Sequence, residues 1–199
     1  MDAQSKISIC NKLGIQATCE IGRYLGFPIF HKGRNCNAFN FVIDKVQSKL
    51  ARWKAKVLSP ASRLVLIKSA STPILDYYMQ CHALPIKTCS AIDKLNRDFL
   101  WGSIQEKRKL HLVNWNTVTL PKQYGSLGIF QMRTRNEGLL AKLCWRIANN
   151  PEALWAKILI KKYLSGSFVG RKKNSLIIWV ACKKGGPIFL QGLKWIIYK

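Results

Sequence analysis

Apolar residues recur every three or four positions along much of this chain, a spacing that is typical of amphipathic helices. The longest such stretch runs from Asn35 to Leu58. Its apolar stripe consists of Phe39, Val42, Ile43, Val46, Leu50, Trp53 and Val57. Because the lysines and arginines fall mostly off this stripe, the pattern predicts one packing face and one cationic face, over roughly 30 Å at 1.5 Å per residue.

Cap and breaker residues divide the following sequence into further helices. Ser59 and Pro60 are an N-cap residue and a proline at the first helical position. Pro73 lacks a backbone N–H, so it must kink or restart the helix that begins at Pro60. Gly102 follows the apolar stretch ending at Trp101, where glycine commonly terminates a helix. Apolar positions within residues 139–147 and 154–159 predict two more helices.

The two ends of the chain differ from this helical middle. Residues 1–33 combine short apolar stretches with several glycines and Pro28, which indicates short strands and turns. Residues 165–199 are basic and contain glycine, and we assign no regular structure to them. The predicted fold is mainly α, with a small β element in residues 1–33, a helical bundle in residues 34–164 and a poorly defined basic tail in residues 165–199.

The charge balance points to a polyanionic partner. The 199 residues include 33 Lys or Arg and 9 Asp or Glu, a formal net charge of +24. Self-repulsion of this size opposes compaction, so a folded chain this basic usually binds a polyanion. Nucleic acid is the leading candidate, and a membrane surface or a ribosomal setting are the alternatives.

Other sequence features bear on location. No uncharged apolar run reaches the roughly 18 residues of a membrane-spanning helix, and the first residues are too polar for a signal peptide. The 7 cysteines are irregularly spaced. These features predict a nuclear or cytoplasmic protein with reduced thiols, neither secreted nor inserted in a membrane.

The sequence offers little catalytic chemistry. Two-metal polymerases and nucleases cluster carboxylates around Mg²⁺, but the acids here are scattered, and Asp93 and Asp98 do not share a helix face well. No Cys-x-x-Cys pair, Walker loop or Gly-x-Ser-x-Gly elbow occurs. We interpret Cys81, His82 and Cys89 as core residues. The chain alone is therefore predicted to be neither an enzyme nor a metal or cofactor protein.

Several segments together resemble a known family. They are Arg23-Tyr24-Leu25-Gly26-Phe27-Pro28, Leu50-Ala51-Arg52-Trp53-Lys54, Leu58-Ser59-Pro60-Ala61-Ser62-Arg63, Phe99-Leu100-Trp101-Gly102, Val113-Asn114-Trp115 and Gly125-Ser126-Leu127-Gly128-Ile129. In this order, residues 13–164 resemble the C-terminal part of reverse transcriptases of plant LINE-type (non-LTR) retrotransposons, often described as ribonuclease H-like proteins. Gly192-Leu193-Lys194-Trp195 is similar to a segment that precedes the family's zinc-binding region.

The resemblance implies a thumb and connecting region, cut at both ends. In the family the catalytic Asp-Asp motif, which binds Mg²⁺, lies upstream of the matched part, and the zinc-binding region lies downstream. We therefore expect a non-catalytic fragment that holds a template–primer duplex, or a single strand of RNA or DNA, through its phosphates. The alternatives are polymerase activity as part of a larger parent protein, or an inert or protein-interaction remnant.

The expected phosphate-binding residues lie on the first long helix and on two later segments. They are Lys45, Lys49, Arg52, Lys54, Lys56, Arg63, Lys68, Lys107, Arg108 and Lys109. Aromatic rings beside such cations can stack on bases. However, Trp53 and Trp101 continue apolar stripes, so we predict that both are core residues.

Overall fold

The computed structural model describes residues 8, 10, 12–14, 23–24, 26–28, 39–53, 57–103, 109–163 and 176–197. The chain divides into two compact units, Met1–Ala38 and Phe39–Lys199.

In the first unit, strands β1 (Arg23–Tyr24) and β2 (Phe27–Pro28) pair antiparallel, with Tyr24 opposite Phe27. Gly26, at φ 79°, supplies the left-handed turn conformation that joins them. Each strand has only two residues, so the pair amounts to a tight turn. Among the described residues of this unit, no larger β element supports the prediction. Residues 8, 10, 12 and 13 are helical, and the prediction of strands and turns is wrong at those positions.

The second unit is built from helices, so the prediction of a mainly helical chain is confirmed. Its α-helices are α1 (Asn40–Ala51), α2 (Pro60–Leu66), α3 (Thr72–Met79), α4 (Ile86–Trp101), α5 (Trp115–Val118), α6 (Met132–Asn149), α7 (Leu154–Tyr163) and α8 (Ile177–Ile197). A π-helical segment, Ile67–Ser71, joins α2 to α3, and a 3₁₀ turn covers Lys122–Tyr124.

Helix α1 buries Val42, Val46 and Leu50, spaced by four residues, against α3, α4 and the π segment. The packing face is therefore the one that the apolar stripe predicts. However, the helix ends at Ala51, several residues before the predicted end at Leu58.

The helices from Pro60 to Met79 run on through the proline that was expected to interrupt them. Ser59 caps α2, with its Oγ accepting from the N–H of Ser62 at 3.2 Å, as predicted. The wide π turn Ile67–Ser71 precedes Pro73, and the backbone N–H of Thr72 bonds the carbonyl of Ile67. The wider turn lets the helix continue past a residue that cannot donate to it.

A buried asparagine fixes the connection between α3 and α4. Asn136, on α6, is 5% exposed, and its Nδ2 donates to the carbonyls of Met79 at 3.2 Å and His82 at 2.9 Å. Its Oδ1 accepts from the N–H of Leu84 at 3.0 Å. One side chain thus satisfies three backbone groups that the turn between the helices leaves unpaired.

The prediction of a poorly defined tail is wrong for residues 177–197, which form the longest helix described, α8. Gly186 and Pro187 both disfavour the interior of a helix. Nevertheless, α8 packs along α6, and the two backbones come close at Gly185. A Cβ placed on Gly185 would lie 2.4 Å from the backbone carbon of Leu140, closer than real atoms approach. Burial against α6 therefore decides the conformation.

Candidate nucleic-acid interface

Lys45, Lys49 and Arg52 are exposed and follow one another along one flank of α1. The spacings i, i+4 and i+7 place them in a row about 10 Å long. Lys45 is held in place: its Nζ donates to the hydroxyl of Tyr78 at 2.9 Å and lies 5.5 Å from the centre of that ring. Among the described residues, the side chains of Lys49 and Arg52 make no hydrogen bond or ion pair. Both side chains are exposed, so a ligand can approach their charges from solvent.

Trp53 adjoins this row and is 47% exposed. Our prediction that it is a core residue is wrong. Helix α1 ends at Ala51, so Trp53 no longer follows the helical stripe that would have buried it. We call Lys49, Arg52 and Trp53 together the α1 cationic end. It combines two charges that have no partner in the described part of the chain with an aromatic surface on which a base can stack.

Arg63 is placed differently from the solvent-facing cation that the sequence predicted. It is 7% exposed, and its Nη1 donates to the carbonyl of Leu100 at 3.2 Å, at the end of α4. Gly102 has φ 68° and packs against the guanidinium, where a Cβ would lie 2.5 Å from Nη1. A cation at a helix C-terminus stabilises the exposed carbonyls there. Arg63 therefore belongs to the interior of the bundle and not to an interface.

Lys68 is half-buried and also serves an internal contact. Its Nζ donates to the carbonyl of Leu127 at 2.6 Å, which ties the π segment to the loop after the 3₁₀ turn. In the same loop Gly128, at φ 65°, packs against the aliphatic part of Lys122. Lys68 can approach a phosphate only by sharing or breaking this hydrogen bond.

The remaining predicted cations divide into described and undescribed positions. Lys109 is exposed, and its backbone N–H donates to Ser103 Oγ at 3.1 Å. Lys54, Lys56, Lys107 and Arg108 lie outside the residues that the structure describes. Trp101 is half-buried and stacks on His111, with ring centres 6.4 Å apart.

Most described carboxylates already have partners within the protein. The carboxylate of Asp76 accepts hydrogen bonds from Nε of Arg135 at 2.5 Å and from Nη2 of the same residue at 2.6 Å. Glu137 forms an ion pair with Arg133 at 3.0 Å. The other pairs are Glu152 with Lys157 at 2.6 Å and Asp98 with His111 at 3.6 Å. Because these acids are engaged, they are poor neutralisers of the surface lysines around them.

Asp93 has a structural role as well. Its carboxylate accepts from the N–H of Met132, the first residue of α6, at 3.2 and 3.4 Å, so it caps that helix from a neighbouring one. Burial raises the pKa of Asp93 to about 6, while the hydrogen bond from Met132 opposes that shift. Among the described residues, no group of three or more His, Cys, Asp or Glu could hold a metal ion.

Three exposed cations outside the predicted set lie on the two helices that pack together, α6 and α8. Lys183 and Lys184 are exposed on α8, and Lys142 is exposed on α6. The sequence shows that the last residues are basic, but the helix that carries Lys183 and Lys184, α8, was not predicted. No described helix is long and apolar enough to cross a bilayer.

The second unit is thus a basic helical bundle in which exposed Lys49 and Arg52 have no partner among the described residues. Two plant proteins are similar to the chain in sequence. The chain is 37% identical over 139 residues to an Arabidopsis thaliana protein named "Putative ribonuclease H protein At1g65750". It is 32% identical over 92 residues to "Uncharacterized mitochondrial protein AtMg00310" of the same plant. These alignments cover 70% and 46% of the chain.

The chain spans only part of both relatives. The alignments cover 22% of the length of the first protein and 60% of the second. No family model matches the chain.

Proposed function

We propose that this chain is a non-catalytic nucleic-acid-binding part of a retroelement-derived, reverse transcriptase-like protein. In this role it holds a template–primer duplex through phosphate contacts, as a thumb and connecting region would. The similarity to a plant protein named for ribonuclease H supports the retroelement origin. The α1 cationic end is the observation that carries the binding function.

Phosphate contact fits the chemistry of the α1 cationic end. Lys49 and Arg52 are exposed and, within the described part of the chain, have no carboxylate partner. A phosphate oxygen can therefore approach them without first displacing an internal acid. Such contacts hold the nucleic acid in position without reading its sequence. Trp53 adds a ring that can stack on an unpaired base at a strand end.

The test is duplex binding measured by fluorescence anisotropy at several salt concentrations. Each phosphate contact contributes about 0.9 to the slope of log affinity against log salt on duplex DNA. The double variant Lys49→Gln, Arg52→Gln should therefore lower the slope by up to about 1.8. Salt-independent binding, or no binding at low salt, would contradict the proposal.

A control of equal charge makes the test specific. The double variant Arg133→Gln, Lys157→Gln removes two exposed cations that are already paired with Glu137 and Glu152. It should leave the slope nearly unchanged. If both double variants lower the slope equally, only net charge matters and the α1 cationic end is no specific site.

Trp53 separates stacking from charge. Trp53→Ala should weaken binding to a single strand by about 1–3 kcal/mol while the salt slope stays the same. If Trp53→Ala changes the salt slope but does not lower the affinity at a fixed salt concentration, stacking by this ring is excluded.

We also propose that the catalytic residues lie outside this chain. Primer extension with Mg²⁺ should give no product from this chain, because Asp93 and Asp98 are engaged with Met132 and His111. Extension that is abolished by Asp93→Asn or Asp98→Asn would overturn this assignment. A circular-dichroism melt distinguishes the remnant alternative, which predicts no cooperative unfolding.

A further inference from the structure

Two cysteines from different helices meet where α6 and α8 pack together. Cys144, on α6, is half-buried, and Cys182, on α8, is 7% exposed. The Sγ of Cys144 donates to the carbonyl oxygen of Cys182 at 3.4 Å, and both side chains belong to the same apolar cluster between the helices. The Cys144 sulfur therefore lies against Cys182 across the helix contact.

The backbone geometry favours a covalent link at this place. Gly185 lies three residues after Cys182, and Leu140 lies four residues before Cys144. The close approach of these two positions brings the helix backbones into direct contact. A disulfide needs Cα atoms within about 7 Å. The close approach of the two backbones at Gly185 favours such a separation one helical turn away, at Cys144 and Cys182.

The two thiols are chemically unequal. The pKa of Cys144 is lowered, chiefly because the S–H of Cys182 can donate to the Cys144 thiolate. The pKa of Cys182 is raised by that same hydrogen bond and by burial. Because the thiolate is the nucleophile in disulfide exchange, Cys144 is the attacking residue and Cys182 is the one that resolves.

We infer that Cys144 and Cys182 form a redox-active pair that is oxidised to an intramolecular disulfide by a small disulfide such as glutathione disulfide. First, the Cys144 thiolate attacks one sulfur of glutathione disulfide, and one glutathione leaves as a thiolate that takes up the proton lost by Cys144. Cys182 then loses its proton and attacks the Cys144 sulfur, releasing the second glutathione. Two protein thiols are oxidised, and one glutathione disulfide is reduced to two thiols.

Cys81 is the competing partner. It is half-buried, burial raises its pKa, and its charge acts on the ionisation of Cys182. The hydrogen bond from the Cys144 thiol to the Cys182 carbonyl makes that pair the favoured one. Cys89 is buried on α4, and burial raises its pKa to about 11, which makes it an unreactive reference thiol.

The test uses the full chain, equilibrated with glutathione disulfide and glutathione at several ratios. The intact mass should fall by two hydrogens. Tryptic digestion without reduction should join residues 143–146 to residues 174–183. The oxidised protein should unfold at a higher urea concentration than the reduced protein, because the disulfide closes a long loop. A folded protein that forms no such link at any ratio overturns the inference.

Single variants test the order of the steps. Cys182→Ala should stop at a stable adduct of one glutathione on Cys144. Cys144→Ala should give neither this adduct nor the internal disulfide. Cys81→Ala and Cys89→Ala should behave as the unmodified chain does. If Cys81→Ala abolishes the link, or if digestion joins Cys81 to Cys182, the pair is wrongly assigned.

Discussion

Gly185 is the position where a single methyl group should separate two helices. A Cβ at this residue would lie 2.4 Å from the backbone carbon of Leu140, 2.5 Å from its oxygen and 2.6 Å from the nitrogen of Ala141. All three atoms belong to the backbone of α6, so no side-chain rotation can relieve the clash. The helices must move apart by about 1 Å to reach an ordinary contact distance.

The free energy of unfolding should fall in Gly185→Ala. Overpacking of this kind costs about 1–3 kcal/mol, and the better helix propensity of alanine returns about 1 kcal/mol. We expect a net loss of up to about 2 kcal/mol, measured by urea denaturation followed by circular dichroism. The loss corresponds to a melting temperature lower by up to roughly 8 °C for a chain of this size.

Gly192 provides the matched control on the same helix. It is exposed, and a Cβ there meets nothing within 4 Å. Gly192→Ala should therefore stabilise the chain by up to about 1 kcal/mol through helix propensity alone. Gly186 is unsuitable because a Cβ before Pro187 clashes with the proline ring. If Gly185→Ala is as stable as Gly192→Ala, the close contact between α6 and α8 does not exist in solution.

Two further substitutions probe single polar contacts. Asn136→Ala removes three buried hydrogen bonds and leaves their backbone partners unpaired, so urea denaturation should show a loss of about 3–4 kcal/mol in the free energy of unfolding. The control Asn149→Ala, at an exposed position, should change that free energy by less than about 0.5 kcal/mol. Equal effects of the two substitutions would contradict the assigned hydrogen bonds of Asn136. Asp93 has a pKa raised from 3.8 to about 6, so its contribution to stability is present below pH 3.8 and is lost as pH rises through about 6. Asp93→Asn should therefore gain about 1–2 kcal/mol over the unmodified chain between pH 4 and pH 7, less than the full shift implies because Asp93 is only half-buried. Parallel stability curves for the two proteins would show that Asp93 is not buried.

Local sequence patterns predicted the packing face of α1 and the cap at Ser59 because both depend on neighbouring residues. Val42, Val46 and Leu50 share a face by helical spacing alone, and the hydroxyl of Ser59 reaches a backbone N–H only three residues away. The end of α1 was misplaced, and with it Trp53. An apolar residue just past a helix end looks like part of the stripe until the end itself is known.

The errors at Arg63 and at α8 have a common cause in contacts between distant residues. Arg63 reaches the carbonyl of Leu100, 37 residues later, and nothing near it in the sequence signals burial. Likewise, Gly185 and Gly186 are typical of a break unless the helix that packs on Gly185 is known. A glycine required for close approach and a glycine that ends a helix look the same in one sequence.

The distribution of charge leads to a last prediction, on the dependence of stability on salt. The net charge is +24, and most described carboxylates are already paired with a lysine, an arginine or His111. Repulsion between the remaining surface cations should therefore outweigh attraction, and screening should relieve it over a Debye length of about 10 Å at 0.1 M salt.

We expect the urea midpoint to rise as sodium chloride increases from ~10 to ~200 mM. The double variant Lys49→Gln, Arg52→Gln should start from a higher midpoint at low salt and gain less from added salt. A midpoint that falls with salt would mean that ion pairs stabilise the surface. It would also remove the argument that unneutralised cations there are available to a phosphate backbone.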